Sequence, residues 1–310
     1  MPERFDAIVI GAGPAGLTAA IYLARARLKT VVIDNAAVGG QMNLTHEVAN
    51  YPGVQGISGA GLARVMKNQA VSFGARIIGQ ADVTSLDPAG PEKTVEVEDE
   101  GVFTAPVVIL ATGGLPRTLG LESEARFKGR GISYCATCDG DFFTGKDIVV
   151  VGGGNSALEE AVSLTKYARS VKIIHEFDHF QAHPWAIAEA EKTPQVSFLM
   201  NQRVVDFVGK EGLEGVVSVD KTTGASVTVP ASGAFLFIGY VPNTSWLKDM
   251  VELNERGEIV VDQAMATNVP GVFAAGDARA KRYRQITTAV SDGTIAALAA
   301  TEYLTTLQRK

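Results

Sequence analysis

Apolar residues along the chain gather in short runs that end in glycine, and the runs recur in two sets. The first, Phe5 to Ile10, leads into Gly11-Ala12-Gly13-Pro14-Ala15-Gly16. Behind it Leu17, Ala20, Ile21 and Leu23 are spaced for one helical face, and a second run, Thr30 to Ile33, ends in Asp34. The pattern predicts strand, glycine turn, helix, strand, acid. Residues 58–75 read as an amphipathic helix, with Leu62, Val65, Met66 and Phe73 on its buried face. Residues 76–110 read as several short strands, interrupted by the loop Pro88-Ala89-Gly90-Pro91, and the run Val107 to Ala111 closes on Thr112-Gly113-Gly114. The pattern then restarts. Asp147 to Val151 runs into Gly152-Gly153-Gly154-Asn155-Ser156-Ala157, a helical stretch carries Leu158, Ala161 and Leu164, and Val171 to Ile174 leads to His175-Glu176. Phe235 to Ile238 is a strand before the turn at Pro242-Asn243, and Gly271 to Ala275 is a strand ending in Gly276-Asp277. A last helix carries Ile295, Ala296, Leu298 and Leu304.

Strand, glycine turn, helix, strand and acid together form a dinucleotide-binding fingerprint in the context it requires. The glycines let backbone approach a pyrophosphate, and the helix start offers free N–H groups and a positive dipole end. Asp34 is placed to accept hydrogen bonds from an adenosine ribose diol. Gly39-Gly40-Gln41 and Asn50-Tyr51-Pro52-Gly53 signal loops. Because the fingerprint occurs twice, the repeat is one of whole domains. The fold expected is α/β, with one dinucleotide-binding domain nested inside another.

Composition narrows the function. The chain has 310 residues, enough for two domains, and 28 basic against 34 acidic residues give a formal charge of −6. That balance argues against nucleic-acid binding through phosphate contacts. No apolar run approaches the roughly 20 residues of a membrane span. A first strand at Phe5 leaves no room for a targeting segment, so a cytoplasmic protein is expected.

The two cysteines of the chain stand together in Cys135-Ala136-Thr137-Cys138-Asp139. In a reducing compartment such a pair is catalytic more often than structural. A helix start at this point would stabilise one thiolate, and a thiolate can attack a partner's disulfide. Zinc normally takes four ligands, and no second cysteine pair is available. His175, His179 and His183 are four apart, but Pro184 interrupts the pattern, so no metal site is expected.

The ordered set Gly11–Gly16, Gly39-Gly40-Gln41, Ala111-Thr112-Gly113, Cys135–Asp139, Gly152–Ala157, Gly271–Asp277 and Arg284-Gln285 resembles the low-molecular-weight thioredoxin reductases over nearly the whole chain. The resemblance implies three-layer ββα domains, with an FAD domain split between residues 1–112 and 246–310. An NAD-like domain, 113–245, carries the disulfide. It implies that FAD is held by Gly11, Gly13, Pro14, Ala15, Gly16, Asp34, Gly40, Gln41, Asn50, Ala111, Thr112, Gly113, Gly276, Asp277, Arg284, Gln285 and Ile286. By the same pattern Cys138 faces the flavin, Cys135 attacks a thioredoxin-like partner, Asp139 handles the proton, and the enzyme is a homodimer.

One stretch departs from the family. NADPH-using members carry His-Arg-Arg-x-x-x-Arg after the second glycine turn, whose arginines hold the 2′-phosphate. Here the register reads His175-Glu176-Phe177-Asp178-His179-Phe180-Gln181. Each arginine–phosphate bond that cannot form forgoes about 1.5–3 kcal/mol, so NADPH is expected to bind very weakly. Three readings follow. The chain resembles the ferredoxin-dependent flavin thioredoxin reductases, which share this arginine-free stretch. Alternatively it uses NADH, with Glu176 on the ribose, or it holds a second FAD in the inserted domain, with Phe177, Phe180 and Trp185 as stacking surfaces. A redox-sensing flavoprotein without turnover is a further alternative, against which the retained Asp139 speaks.

Overall fold

The computed structural model describes residues 2–44, 48 and 50–309. They divide into two compact units, 1–115 with 241–310, and 116–240. The crossings between the units fall at Leu115/Pro116 and Tyr240/Val241.

The first segment contributes β1 (Glu3–Arg4), β2 (Ala7–Ile10), α1 (Pro14–Arg25), β3 (Thr30–Asp34), a 3-10 turn (Gly40–Leu44) and α2 (Gly59–Ser72). It continues through β4 (Arg76–Gly79), β5 (Val83–Asp87), β6 (Lys93–Val97), β7 (Gly101–Ala105), β8 (Val107–Leu110) and β9 (Gly114–Pro116). Ser58 caps α2 by accepting from the Gly61 amide at 3.1 Å.

The inserted unit contributes α3 (Glu122–Phe127), β10 (Ile132–Ser133), α4 (Ala136–Asp139), a 3-10 turn (Gly140–Phe143), β11 (Asp147–Val151) and α5 (Asn155–Leu164). Next come β12 (Ser170–Ile174), α6 (Pro184–Lys192), β13 (Val196–Leu199), β14 (Gln202–Val208), β15 (Gly215–Asp220), β16 (Ser226–Pro230) and β17 (Gly233–Leu236). Strand β18 (Tyr240–Pro242) pairs with β9 in a two-stranded ribbon, and β19 (Val272–Ala274) and α7 (Ile286–Gln308) complete the chain.

In the first unit β19-β8-β2-β3-β4 form a parallel sheet, and β1-β7-β6-β5 form a second sheet. Successive side chains of a strand point to opposite faces. Ala7, Val9, Val32, Val107 and Ile109 therefore face a core shared with α1, α2 and α7. Ile8, Ile10, Val31, Ile33, Val108 and Leu110 face the second sheet through Leu86, Val95 and Phe103. A sheet covered on both faces needs apolar residues at every position, which is why these strands read as continuous runs.

The inserted unit repeats the plan. Its parallel sheet runs β10-β17-β11-β12-β13. Ile148, Val150, Val171 and Ile173 pack towards α5 and α6. Val149, Val151, Ile174 and Leu236 pack towards the antiparallel sheet β14-β15-β16. Each unit is thus a three-layer ββα sandwich, the α/β class expected from the sequence. Pro184, read from the sequence as an interruption, is the first residue of α6, where its missing N–H costs nothing.

Candidate functional site

The residues expected to hold FAD all belong to the first unit, and its parallel sheet gathers the glycine turns at one end. The Gly11 amide donates to Ile33 O at 2.7 Å, and the Ala111 amide donates to Ile10 O at 2.7 Å. Gly11 has φ +106°, and a Cβ there would lie 2.2 Å from Ala111 O, so only glycine fits the turn. At Gly13, by contrast, a Cβ would meet nothing within 4 Å. The space beside the start of α1 is open, and the first-turn N–H groups of a helix have no acceptors of their own. Gly40 comes to this spot from the next loop, where its Cβ would lie 3.1 Å from Gly13 Cα. Gly276 is placed against Ala15, and Gln285, the cap of α7, accepts from Asn50 Nδ2 at 3.3 Å.

Asp34, expected from the sequence at a ribose, also holds the backbone around it. Its carboxylate accepts from the Ala12 amide at 2.5 Å and from the Ala36 amide at 2.8 Å. It therefore fastens the glycine turn to β3. Burial raises its pKa, and the two amides work against that rise. Two further lone pairs of the carboxylate are not engaged by these bonds.

Beyond the turns lies a charged cluster that the sequence pattern did not reveal. Asp292 on α7 is almost fully buried. It accepts from Arg279 Nη2 at 2.7 Å and Nε at 2.9 Å, from Lys281 Nζ at 2.7 Å and from the Gly276 amide at 3.1 Å. Burial opposes its ionisation, but the two cations hold its pKa below the usual value. Lys281 also lies 3.7 Å from Asp277, whose pKa is raised by burial despite the nearby cations. Arg284 forms an ion pair with Glu258.

In the inserted unit Cys135 and Cys138 are joined by a disulfide, with Cα atoms 5.3 Å apart. Cys135 is the cap of the one-turn helix α4, and its Sγ accepts from the Cys138 amide at 3.2 Å. Both cysteines are half-buried. Among the described residues the hydrogen-bond partner of the Asp139 carboxylate is not a sulfur but Ser133, whose Oγ donates to Oδ2 at 2.5 Å. Burial raises the Asp139 pKa, Ser133 lowers it and Asp141 raises it further. On the other side of the strand Tyr134 donates to Glu124 at 2.6 Å, and Glu124 accepts from the Leu119 and Gly120 amides. Burial and that bond raise the Tyr134 pKa.

Residues 5–293 match the sequence profile of the pyridine nucleotide-disulphide oxidoreductases. The chain is 42% identical over 311 residues to a thioredoxin reductase of Peptoclostridium acidaminophilum, covering 98% of both chains. It is 44% identical over 302 residues to a 34.2 kDa protein in the rubredoxin operon of Clostridium pasteurianum, covering 97% of this chain and 98% of that one. The crystal structure of thioredoxin reductase from Streptococcus pyogenes superposes with a TM-score of 0.94 at 39% identity, over 99% of this chain and 100% of that one. The chain belongs to the pyridine nucleotide-disulphide oxidoreductase family. It is an FAD-dependent disulfide oxidoreductase of the thioredoxin reductase type.

The first unit fits the flavin of such an oxidoreductase. Besides the open space at Gly13, Thr112 Oγ1 is buried with no hydrogen-bond partner among the described residues. An orphaned hydroxyl costs about 1–3 kcal/mol unless a ligand satisfies it.

The second glycine turn is packed by the stretch that follows β12. Gly152 has φ +137°, and a Cβ on Gly154 would meet only Gln181 O, at 4.0 Å. The stretch 175–183 is stitched to the turn. The Gln181 amide donates to Gly153 O at 2.8 Å, the His183 amide donates to Asn155 Oδ1 at 2.7 Å, and the His175 ring lies directly on Gly153. Glu176 is not a bare charge, since Lys221 Nζ lies 3.7 Å from it and 4.8 Å from the Phe177 ring. Phe180 packs on His175 and Phe198, whereas Trp185 is 67% exposed. His175 Nε2 is 3.1 Å from His179 O, His179 is bonded to Asp178, and His183 caps α6.

Proposed function

We propose that the chain passes electrons from FAD in the first unit to the Cys135–Cys138 disulfide and on to a thioredoxin-like protein, with reduced ferredoxin rather than NADPH as the donor. The observation that carries this reading is the stretch after β12. The three arginine positions of the NADPH-using relatives hold Glu176, Phe177 and Gln181. Glu176 is paired with Lys221, Phe177 with the same lysine and His175, and Gln181 is bonded through its backbone to the glycine turn. The cation beside them, Lys221, is already shared between a carboxylate and a ring, so it is poorly disposed to neutralise a 2′-phosphate. The relative encoded in a rubredoxin operon supports supply by a small electron-transfer protein.

FAD, when bound, supplies the electron pair that breaks the Cys135–Cys138 bond. The two sulfurs take up two electrons and two protons in becoming thiols. Asp139, raised by burial, holds a proton beside the disulfide turn and exchanges it with a sulfur at close range or through water. The Cys135 thiolate then attacks a sulfur of the partner's disulfide and forms a mixed disulfide. The Cys138 thiolate attacks Cys135 Sγ, restores the intramolecular bond and releases the partner as a dithiol. Cys138→Ser should keep FAD but leave the mixed disulfide unresolved, with turnover abolished. Undiminished turnover would show that the Cys135–Cys138 pair does not carry the electrons to the partner.

The second glycine turn, open at Gly154, favours one alternative: a nucleotide without a 2′-phosphate, either NADH or a second FAD. Anaerobic titration of the flavin absorbance with NADPH, NADH and reduced ferredoxin in parallel decides between the readings. Bleaching by ferredoxin alone is the outcome expected. Bleaching by NADPH at low concentration would overturn the reading of residues 175–182, and two flavins per chain would establish the diflavin alternative. We also place the active form as a cytoplasmic homodimer, which sedimentation of the holoenzyme tests. No helix among the described residues is long and apolar enough to cross a membrane.

A further inference from the structure

Ser133 lies two residues before the first cysteine on β10, an edge strand locked by Ile132 opposite Ala234 and Ser133 opposite Phe235 of β17. It is 5% exposed. Its Oγ accepts from the Cys135 amide at 3.1 Å. The hydroxyl has one proton and two acceptors in reach, Asp139 Oδ2 at 2.5 Å and Cys135 O at 3.3 Å. The nearer acceptor carries the charge and makes the stronger bond. A directed chain results: Cys135 N–H to Ser133 Oγ–H to Asp139 Oδ2. Each bond polarises the next. The chain engages Oδ2 and leaves Oδ1 the freer oxygen to carry a proton.

We propose that Ser133 is a positioning residue for the active-site acid: it orients the Asp139 carboxylate on the disulfide turn and favours its ionised form. The proposal rests on the role given to Asp139 above. The scaffold is stiff on both sides of the strand, because the next residue, Tyr134, is tied to Glu124. Other titratable groups surround the carboxylate. Asp141 follows it in the 3-10 turn and raises its pKa. The helix α5 packed on α4 carries Glu159 and Glu160, and Glu124 lies across β10. Tyr167 packs beside Gly140. Among these neighbours Ser133 is the one group that favours the charged carboxylate.

The test uses the FAD-loaded enzyme in two readouts. In the first, infrared difference spectroscopy follows the Asp139 carboxyl band against pH, with Asp139→Asn identifying the band. In the second, the enzyme is reduced with dithionite and its rate of reducing dithiobis(nitrobenzoate) is measured across pH. Removing one hydrogen bond to a charged group should move the Asp139 midpoint up by about one pH unit or more in Ser133→Ala. The inflection of the rate profile should move with it. Ser133→Thr, which keeps the hydroxyl, should restore both. A merely structural role would lower stability and leave the midpoint in place. If Ser133→Ala loses flavin or far-ultraviolet dichroism, Ser133→Gly, which also removes the donor and adds no bulk, should shift the midpoint in the same direction. An unmoved midpoint in the folded variant overturns the proposal. A rate profile that Asp139→Asn leaves unchanged would instead overturn the role of Asp139 itself, so the two failures are distinguishable.

Discussion

Gly11 has no room for a side chain, and Glu176 is paired with Lys221. Under the proposed function, single residues such as these set the supply side of the oxidoreductase. Gly11→Ala would force a methyl against Ala111 O at φ +106°. Strain of this kind costs more than about 1 kcal/mol, and it falls on the turn expected to hold the flavin pyrophosphate. The expected result is a lower ratio of flavin to protein absorbance after purification, with the disulfide unit intact. The converse experiment adds function. Glu176→Arg, Phe177→Arg and Gln181→Arg combined should tighten NADPH binding by at least about tenfold, since each charged bond to phosphate is worth about 1.5–3 kcal/mol. Calorimetry measures this directly, and an unchanged affinity would mean that the arginine register is not what excludes NADPH. The cysteine pair and its acid were legible at this scale because no other cysteines compete for the chemistry. The Ser133 bond was not legible, because a serine six residues before an aspartate reaches it only once β10 is pinned to β17.

Helices α1 and α7 show what contact between elements adds. A Cβ on Gly293 would lie 2.1 Å from Ala15 O, so the two helices meet backbone to backbone. Beside this contact Asp292 holds Arg279 and Lys281 in the interior. Asp292→Ala would leave both cations without their carboxylate, at a cost of about 3–5 kcal/mol. A fall in melting temperature is expected in the FAD-free protein as well as in the holoenzyme, which separates a folding role from a cofactor role. In the inserted unit Asp147, at the start of β11, bonds Arg169 and Ser170 at the start of β12, and these bonds lower its pKa to about 2. The sign follows from linkage: an acid with a depressed folded pKa stabilises above its unfolded value and loses that contribution as pH falls through the folded one. The window therefore runs from the ordinary value of 3.8 down to about 2. Because the pair lies at the surface the effect should be small. Asp147→Asn should flatten the acid limb of the stability profile in that window, and a limb of unchanged slope would remove Asp147 as its source. The strands were legible as continuous apolar runs. Helix α6 was not assigned from the sequence; it begins at Pro184, which the first helical turn tolerates.

At the scale of the whole molecule, one chain builds the same ββα sandwich twice, and the residues expected to hold the flavin all fall in one copy. A ligand that binds one folded unit stabilises that unit by mass action. Removing FAD should therefore raise hydrogen exchange in β2, α1, β3 and α7 by about 100-fold if the flavin is present at about 100 times its dissociation constant. Exchange in β11, β12 and β17 should change little. Equal deprotection of both sheets would show that the cofactor's stabilisation is not confined to the first unit. By itself the sequence determined the continuous apolar runs of the parallel strands, the two glycine turns, the cysteine pair and the absence of the arginines. These follow from local pattern and residue identity. Only the tertiary structure decided that Asp34 fastens its own turn, that Lys221 neutralises Glu176, that Asp292 gathers two cations and that Ser133 holds Asp139. Each depends on which strands pair and which helices touch, and that pairing brings side chains into hydrogen-bond range in ways that spacing along the chain does not encode.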